Sequence, residues 1–246
     1  MEFISANHAP MKLNSLLLIG LALPVSAATL HTYTGGHMDA PAFGYVSVAE
    51  QALDNSLTQG FEPHLHNHGG ADGAIIDGVR VTDESEYEPG DVTIVVPELS
   101  TTTLNSQNFY WLPQDETDAA NNGAPFLGIG LEELTPADWT GGNVTISLAS
   151  ISGPGGITIW QDGFPNPTIF FDSAGDSVSL AAGNHTHFNW GFTTPGIYEL
   201  EFAISGTHVD DGLQSASAVY TFEVIPEPSA ALLGAFGAFG LLRRRR

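Results

Sequence analysis

Histidines are concentrated in one short stretch near the first third of the chain. The stretch GFEPHLHNHGG, residues 60–70, holds His64, His66 and His68. In an extended backbone, side chains two residues apart point to the same side, so all three imidazoles can face one way. Because imidazole is the commonest metal ligand in proteins, this spacing indicates metal coordination; a hydrophilic loop is the alternative.

A second histidine pair lies in NHTHFNW, residues 184–190. We predict a strand there, which would place His185, His187 and Asn189 on one face. A His-x-His pair on a strand supplies two neutral imidazoles to one ion, and a third ligand from a neighbouring segment completes a common zinc set. A polar, solvent-facing strand is the alternative interpretation.

Further ligands are available at two isolated positions. His37 lies in GGHMDA and His208 in SGTHVDDG, and Asp39 follows His37 closely enough to bind the ion or to orient an imidazole. The chain has no cysteine, so a transition-metal site must use imidazole and carboxylate. We expect Zn²⁺, with Mn²⁺ or Cu²⁺ next and Ca²⁺ as an alternative. The predicted ligands are His185, His187, His37, His208, His64, His66, His68 and Asp39.

The chain between Ala28 and Ile225 is strongly acidic. It holds 26 of the 28 Asp and Glu residues, since Glu2 and Glu227 lie outside, against Arg80 as its single cation, so its net charge is 1 − 26 = −25. Such a surface repels phosphate backbones and anionic lipid, which excludes nucleic-acid binding. Divalent cations are natural counter-ions, although negative charge also simply keeps a protein soluble.

Both termini resemble targeting segments. Met11-Lys12 followed by LNSLLLIGLALPVSA predicts a signal peptide over residues 1–27, with Met11 as the true start. At the other end, residues 226–246 read PEPS, a short apolar stretch and a run of arginines. The apolar stretch is shorter than the roughly 20 residues that span a bilayer comfortably. We therefore expect export, with a short C-terminal apolar helix that engages the inner membrane transiently.

Short β-favouring runs separated by Gly, Pro, Asn and Asp predict the fold of residues 28–225. The runs lie at 43–48, 91–96, 143–151, 157–160, 168–171, 177–182, 197–204 and 216–225. Their spacing is typical of a single all-β domain, an antiparallel β-sandwich of jelly-roll or immunoglobulin-like type. Tyr198 resembles the corner tyrosine of immunoglobulin-like sandwiches. Residues 50–90 are predicted to form an irregular functional loop region.

The C-terminal segment resembles the PEP-CTERM sorting signal, because the motif, the apolar run and the basic end occur in that order at 226–246. The resemblance implies an exosortase as partner, which reads and removes the tail. It also implies a Gram-negative bacterium that makes exopolysaccharide, and a final location at the cell surface or in the extracellular matrix.

The domain itself resembles the choice-of-anchor M family over residues 31–225. The resemblance rests on GGHMD, FYWLPQ, PFLGIGLEEL, SGPGGITIW and HTHFNWGFTTPGIYELEF. It implies an exported β-rich protein with a C-terminal anchoring signal and His37, His185 and His187 as motif positions. Relatives associated with manganese/zinc transporters imply metal handling at the envelope.

Three functions follow from these patterns. The first is a non-enzymatic, surface-associated binding module that coordinates a divalent transition metal. The second is an acidic matrix protein that binds Ca²⁺ or exopolysaccharide without a transition-metal site. The third is a metal-dependent hydrolase, since three imidazoles and an open position suffice to activate water. We favour a binding module because the sequence shows no Gly-x-Ser-x-Gly elbow and no HExxH helix.

Overall fold

The computed structural model describes residues 30–226. The predicted signal peptide, residues 1–27, lies outside the described residues, as does the predicted sorting tail apart from Pro226. Within residues 30–226, no helix combines the length and apolar character needed to cross a membrane.

The described chain is predominantly β-strand, as predicted. Its first eight strands are β1 (His31–Val46), β2 (Gly60–Asn67), β3 (Ile75–Ile76), β4 (Val79–Arg80), β5 (Ser85–Tyr87), β6 (Val92–Val96), β7 (Thr101–Leu104) and β8 (Gln107–Leu112). The others are β9 (Pro125–Gly130), β10 (Asn143–Ser152), β11 (Ile157–Gln161), β12 (Thr168–Phe171), β13 (Ser177–Ala181), β14 (His185–His187), β15 (Asn189–Phe192), β16 (Gly196–His208) and β17 (Gly212–Val224). The helices are α1 (Val48–Leu53), α2 (Glu116–Asn122) and 3₁₀ turns at Pro89–Asp91, Pro136–Asp138 and Thr140–Gly142.

The strands form two sheets. A 12-stranded sheet runs in the order β13-β10-β16-β17-β6-β1-β2-β5, with β9 and β14 beyond β1 and the short β3 and β4 also attached. A 5-stranded sheet runs in the order β12-β11-β15-β8-β7.

The larger sheet is mixed, which corrects the prediction of a purely antiparallel architecture. Strand β6 pairs in parallel with both β1 and β17, and β1 pairs in parallel with β9. The sequence of β6, VTIVV, is almost continuously buried. Strands inside parallel pairings read as unbroken apolar runs instead of alternating ones, which is why alternation did not reveal this arrangement.

The two sheets share one hydrophobic core rich in aromatic rings. Trp190 of the smaller sheet packs against Phe202 and Phe222 of the larger sheet, with ring centroids 5.8 and 5.6 Å apart. Phe192 meets Tyr198 in the same way, at 5.0 Å. All five side chains are fully buried. Burial of this apolar surface is the main stabilising contribution, since the chain has no cysteine for a disulfide.

The long strand β1 connects the core to the region that holds the histidines. Its first part pairs with β3 and β6, and its second part pairs with β2 and β9. A β-bulge between Asp39 and Ala42 shifts its register against both later neighbours. Bulges bend a strand and re-aim its side chains. Around the bulge, β14 pairs with β9, β9 with β1, β1 with β2, and β2 with β5.

Two local predictions are wrong. The stretch 50–90 contains a regular strand, β2, paired with β1 and β5, and His64 and His66 lie on it. The predicted strand 184–190 is split, because β14 pairs with β9 in the larger sheet whereas β15 belongs to the smaller one. Asn189 therefore does not share a face with the histidine pair. Its buried side-chain oxygen accepts hydrogen bonds from Trp111 Nε1 at 2.7 Å and from the Gln114 amide at 3.0 Å.

The hydroxyl of Tyr198 provides a test of how β16 is held at its start. It donates to the Thr194 carbonyl at 2.8 Å, the contact expected of a corner tyrosine. We expect Tyr198→Phe to lower the free energy of unfolding by about 1 kcal/mol, the usual value of one hydrogen bond, with an unchanged urea m-value. An unchanged urea midpoint would show that this hydrogen bond does not stabilise the fold.

Candidate metal centre

The clustered histidines lie on β1, β2 and β14, with His68 directly after β2, and β9 pairs with both β1 and β14. The register aligns one row of residues across all four, since His66 faces Asp39, Asp39 lies beside Gly128, and Gly128 faces His187. Residues aligned across neighbouring strands project to the same face of a sheet. Segments far apart in sequence therefore bring their polar side chains to one patch.

A second row lies next to the first. It joins His64 to Ala42, Ala42 to Gly130, and Gly130 to His185. The middle of both rows is kept open by glycine. A Cβ at Gly128 would collide with Asp39 Oδ1, and one at Gly130 would lie 2.9 Å from Asp39 Oδ2. Because Gly128 and Gly130 have no side chains, they leave the space that the Asp39 carboxylate occupies.

A turn after β9 adds two carboxylates that sequence analysis missed. Leu131 and Leu134 are each 1% exposed and anchor the turn in the core. Between them, Glu132 and Glu133 project towards the histidines, and the Leu134 amide closes the turn on the Leu131 carbonyl at 3.1 Å. The signal was the LEEL pattern itself: two apolar residues three apart predict a buried turn that exposes both glutamates on one side.

Six residues form what we call the central site. They fall into two overlapping groups that share His185, and in each group the possible ligand atoms lie within 4.8 Å of one another. One group is a set of three histidines and the other contains two carboxylates. The members of the central site are His37, Asp39, His68, Glu132, His185 and His187.

Asp39 is the electrostatic centre of this site. It is 0% exposed, and its Oδ2 accepts a hydrogen bond from His68 Nε2 at 3.1 Å. Its Oδ1 has no hydrogen-bond partner, and His37 Nε2 lies 3.7 Å away. Burial favours the neutral acid, but the contacts and charges of His37 and His68 outweigh it and hold the pKa of Asp39 well below its ordinary value.

No arginine or lysine neutralises Asp39. Arg80 is the single Lys or Arg within residues 30–226, and its guanidinium donates to the Gly73 carbonyl at 2.7 Å. A buried carboxylate without compensation is strongly destabilising. Its counter-charge must therefore come from an imidazolium or from a bound cation.

The imidazoles on the inner side of the central site carry unused nitrogen atoms. His187 Nδ1 and His37 Nε2 are both buried and have no hydrogen-bond partner. The His187 ring stacks on Phe126 with centroids 3.9 Å apart. Burial lowers the pKa of His187 to about 4, so this imidazole is neutral near pH 7 and presents a lone pair. Unpartnered buried polar atoms are rare in folded proteins, and a coordinated ion would satisfy both.

The outer side of the central site holds a carboxylate that orients an imidazole. His185 Nδ1 donates a hydrogen bond to Glu132 Oε1. This contact fixes the tautomer and leaves Nε2 for coordination, which is the usual arrangement around a metal-bound histidine. His185 is 36% exposed and Glu132 29% exposed, so an ion would reach the site from this side.

A separate group, the flanking site, consists of His64, His66 and Glu133. Glu133 Oε1 lies 3.2 Å from His64 Nε2 and 3.1 Å from His66 Nδ1. The hydrogen bond to Glu133 raises the pKa of His66 to about 9, and both histidines hold the pKa of Glu133 well below its ordinary value. The His68 ring stacks on His66 at 4.9 Å and on His37 at 4.2 Å, which places it between the two sites.

His208 lies apart from both sites. Its Nδ1 accepts hydrogen bonds from the backbone amides of Asp210 and Asp211, at 3.4 and 3.2 Å, and its ring stacks on Tyr45 at 4.9 Å. One lone pair is thus already used to cap the turn between β16 and β17. The other predicted ligands all fall within the central site or the flanking site, whereas His208 has a structural role.

Comparison of the chain with known protein families, with curated proteins and with solved structures gives no match. Its function must therefore be argued from the chemistry of the site. The central site offers four imidazoles and two carboxylates. Such a nitrogen-rich set suits zinc and neighbouring transition metals, whereas Ca²⁺ prefers oxygen ligands alone.

The close approach at Gly128 predicts a defect in metal binding. We expect Gly128→Ala to displace the Asp39 carboxylate and lower zinc affinity by roughly 10–100-fold, as loss of a partner that orients ligands does. Gly90→Ala is the matched control, because a Cβ there meets nothing within 4 Å. Titration calorimetry measures both variants. Equal affinities would contradict the role assigned to the glycine space.

The raised pKa of His66 predicts how the stability of the metal-free protein depends on pH. The hydrogen bond to Glu133 raises the pKa of His66 from its ordinary value of 6.5 to about 9 in the folded chain. Its contribution to stability is therefore complete below pH 6.5 and is lost as the pH rises through about 9. After chelator treatment, the stability difference between wild type and His66→Gln should shrink over this range in urea denaturation. A constant difference would contradict the pairing with Glu133.

Proposed function

We propose that this chain is a binding module that coordinates a divalent transition metal, zinc first, at the central site. The observation that carries the proposal is the buried Asp39 carboxylate, whose ion-pair contacts are with the imidazoles of His37 and His68 and which has one oxygen without a hydrogen-bond partner. A divalent ion among His37, His185 and His187 would supply the missing positive charge and bind the unpartnered nitrogen atoms.

The ligand chemistry favours zinc over the alternatives. Three histidines whose nitrogen atoms lie within 4.8 Å of one another correspond to a common zinc set, and the absence of cysteine removes the ligands that favour Cu(I) or iron–sulfur clusters. Mn²⁺ and Cu²⁺ are the next candidates. Ca²⁺ is the alternative that the acidic surface would support without the histidines.

A binding role is favoured over hydrolysis by the state of the carboxylates. Asp39 contacts His68, Glu132 contacts His185, and Glu133 contacts the flanking histidines. A general base must be free to take a proton from water. Each carboxylate within these two sites is already paired with an imidazole, so the geometry serves to hold charge and orient ligands.

The setting of this module follows from the sequence. We propose that the two sheets form a β-sandwich of jelly-roll or immunoglobulin-like type within the choice-of-anchor M family. The residues outside 30–226 support export, transient contact of the tail with the inner membrane, and tail removal by an exosortase. The module would then act at the cell surface or in the matrix of a Gram-negative bacterium, with exopolysaccharide as a further binding partner. The net charge of −22 for the whole chain supports attraction of cations to that surface.

Zinc binding by the untagged protein tests the proposal. At zinc concentrations of about 100 Kd, we expect stabilisation of about 2.7 kcal/mol in urea denaturation. The double variant His185→Ala/His187→Ala should lose more than roughly 100-fold in affinity, because it removes ligands and not only their partners. Elemental mass spectrometry and titration calorimetry measure both effects.

His31→Ala is the matched control for this double variant. His31 pairs with Asp77 at 2.7 Å and belongs to neither site, so its loss should leave zinc affinity unchanged. Stabilisation by Ca²⁺ with no response to zinc would replace the proposal with an oxygen-liganded matrix protein. Equal zinc affinity in the wild type and the double variant would also refute it.

A further inference from the structure

We propose that the flanking site is a second transition-metal site, distinct from the central one, so that the protein binds two ions. This inference does not rest on the central site, because His64, His66 and Glu133 belong to neither of its groups. It rests on the arrangement of nitrogen atoms around one carboxylate oxygen.

His64 is nearly buried, since its side chain is 8% exposed. Its Nδ1 donates to the Glu62 carbonyl at 2.9 Å, which assigns the ring proton to Nδ1. Its Nε2 is buried without a hydrogen-bond partner and lies 3.2 Å from Glu133 Oε1. In a neutral imidazole, this nitrogen turns a lone pair towards a carboxylate oxygen. Such a contact is repulsive unless a proton on Nε2 or a bound cation lies between the two atoms, and a metal ion would satisfy both of them.

His66 approaches the same oxygen atom of Glu133. Its Nδ1 lies 3.1 Å from Glu133 Oε1, and its Nε2 lies 3.2 Å from Glu84 Oε1. Two imidazole nitrogens and one carboxylate oxygen therefore converge on one point. Two histidines and a glutamate are a known zinc ligand set, with the fourth position left for water. Glu84 would orient His66 or move to the open position, since its side chain is 75% exposed.

Two neighbouring glutamates separate the two sites. The consecutive residues Glu132 and Glu133 divide between them, because Glu132 contacts His185 and Glu133 contacts the pair on β2. Two nearby dications repel each other, but the carboxylates of Asp39, Glu132 and Glu133 lie among the ligands and offset this repulsion. The flanking site has fewer imidazoles and a carboxylate that is 35% exposed, so it should bind its ion more weakly.

Metal stoichiometry of the untagged chain tests this inference. Zinc titration followed by elemental mass spectrometry should find two ions in the wild type. The double variant His64→Gln/His66→Gln should retain one tightly bound ion, and His37→Ala/His187→Ala should retain one weakly bound ion. Glu133→Gln is a conservative variant that tests the flanking site if His64→Gln/His66→Gln fails to fold. It should weaken the second ion at least tenfold and leave the first unchanged.

The outcomes separate this inference from the proposed function. One ion in the wild type that survives in Glu133→Gln would overturn the second site and leave the central site standing. One ion that survives the loss of His37 and His187 but not the loss of Glu133 would support the flanking site and refute the central one. Two ions bound with unchanged affinities in both Glu133→Gln and His64→Gln/His66→Gln would overturn the second site.

Discussion

The charge of one buried carboxylate governs the local architecture. Asp39 is fully buried on β1, and the described residues offer no arginine or lysine to balance it. Leaving a buried charge unpaired would cost several kcal/mol, a large part of the stability of a domain of this size. The surrounding histidines and the two glycines of β9 can be understood as the means of balancing this charge and making room for it. A divalent cation, as proposed above, would satisfy all of these groups together.

The fold provides this arrangement through sheet register. Strands β2, β1, β9 and β14 come from distant parts of the chain, yet their alignment places His66, Asp39, Gly128 and His187 in one row. Strand β1 pairs with both β2 and β9 on either side of the bulge that follows Asp39, and Asp39 itself lies beside Gly128 of β9. A one-residue slip of any of these strands would turn its polar side chains to the opposite face. The aromatic core, which holds both sheets together, thus stabilises the register on which the site depends.

Much of the fold could be predicted from the sequence. The β-class, the runs at 143–151, 157–160 and 168–171, and the histidine pair on β14 agree closely with the strands observed. The parallel pairings of β6 could not be predicted, because periodicity reports burial and not the direction of a neighbour. The sequence of residues 50–90 favours a loop region, because it is irregular and binding residues are common in loops, yet His64 and His66 are buried on the strand β2. Burial of a polar residue depends on partners that a single strand does not reveal.

The candidate ligands, like the fold, could be predicted from the sequence only in part. Histidine spacing was sufficient to select His64, His66, His68, His185 and His187, and it could not show that they belong to two sites. That division is made by Glu132 and Glu133, whose positions depend on a turn anchored by two buried leucines. The sequence around the isolated His208 likewise gives no reason to exclude it, although backbone amides use one of its lone pairs. Alternation along a strand therefore identifies which side chains share a face, whereas their division into separate groups depends on the carboxylates that the tertiary fold brings to them.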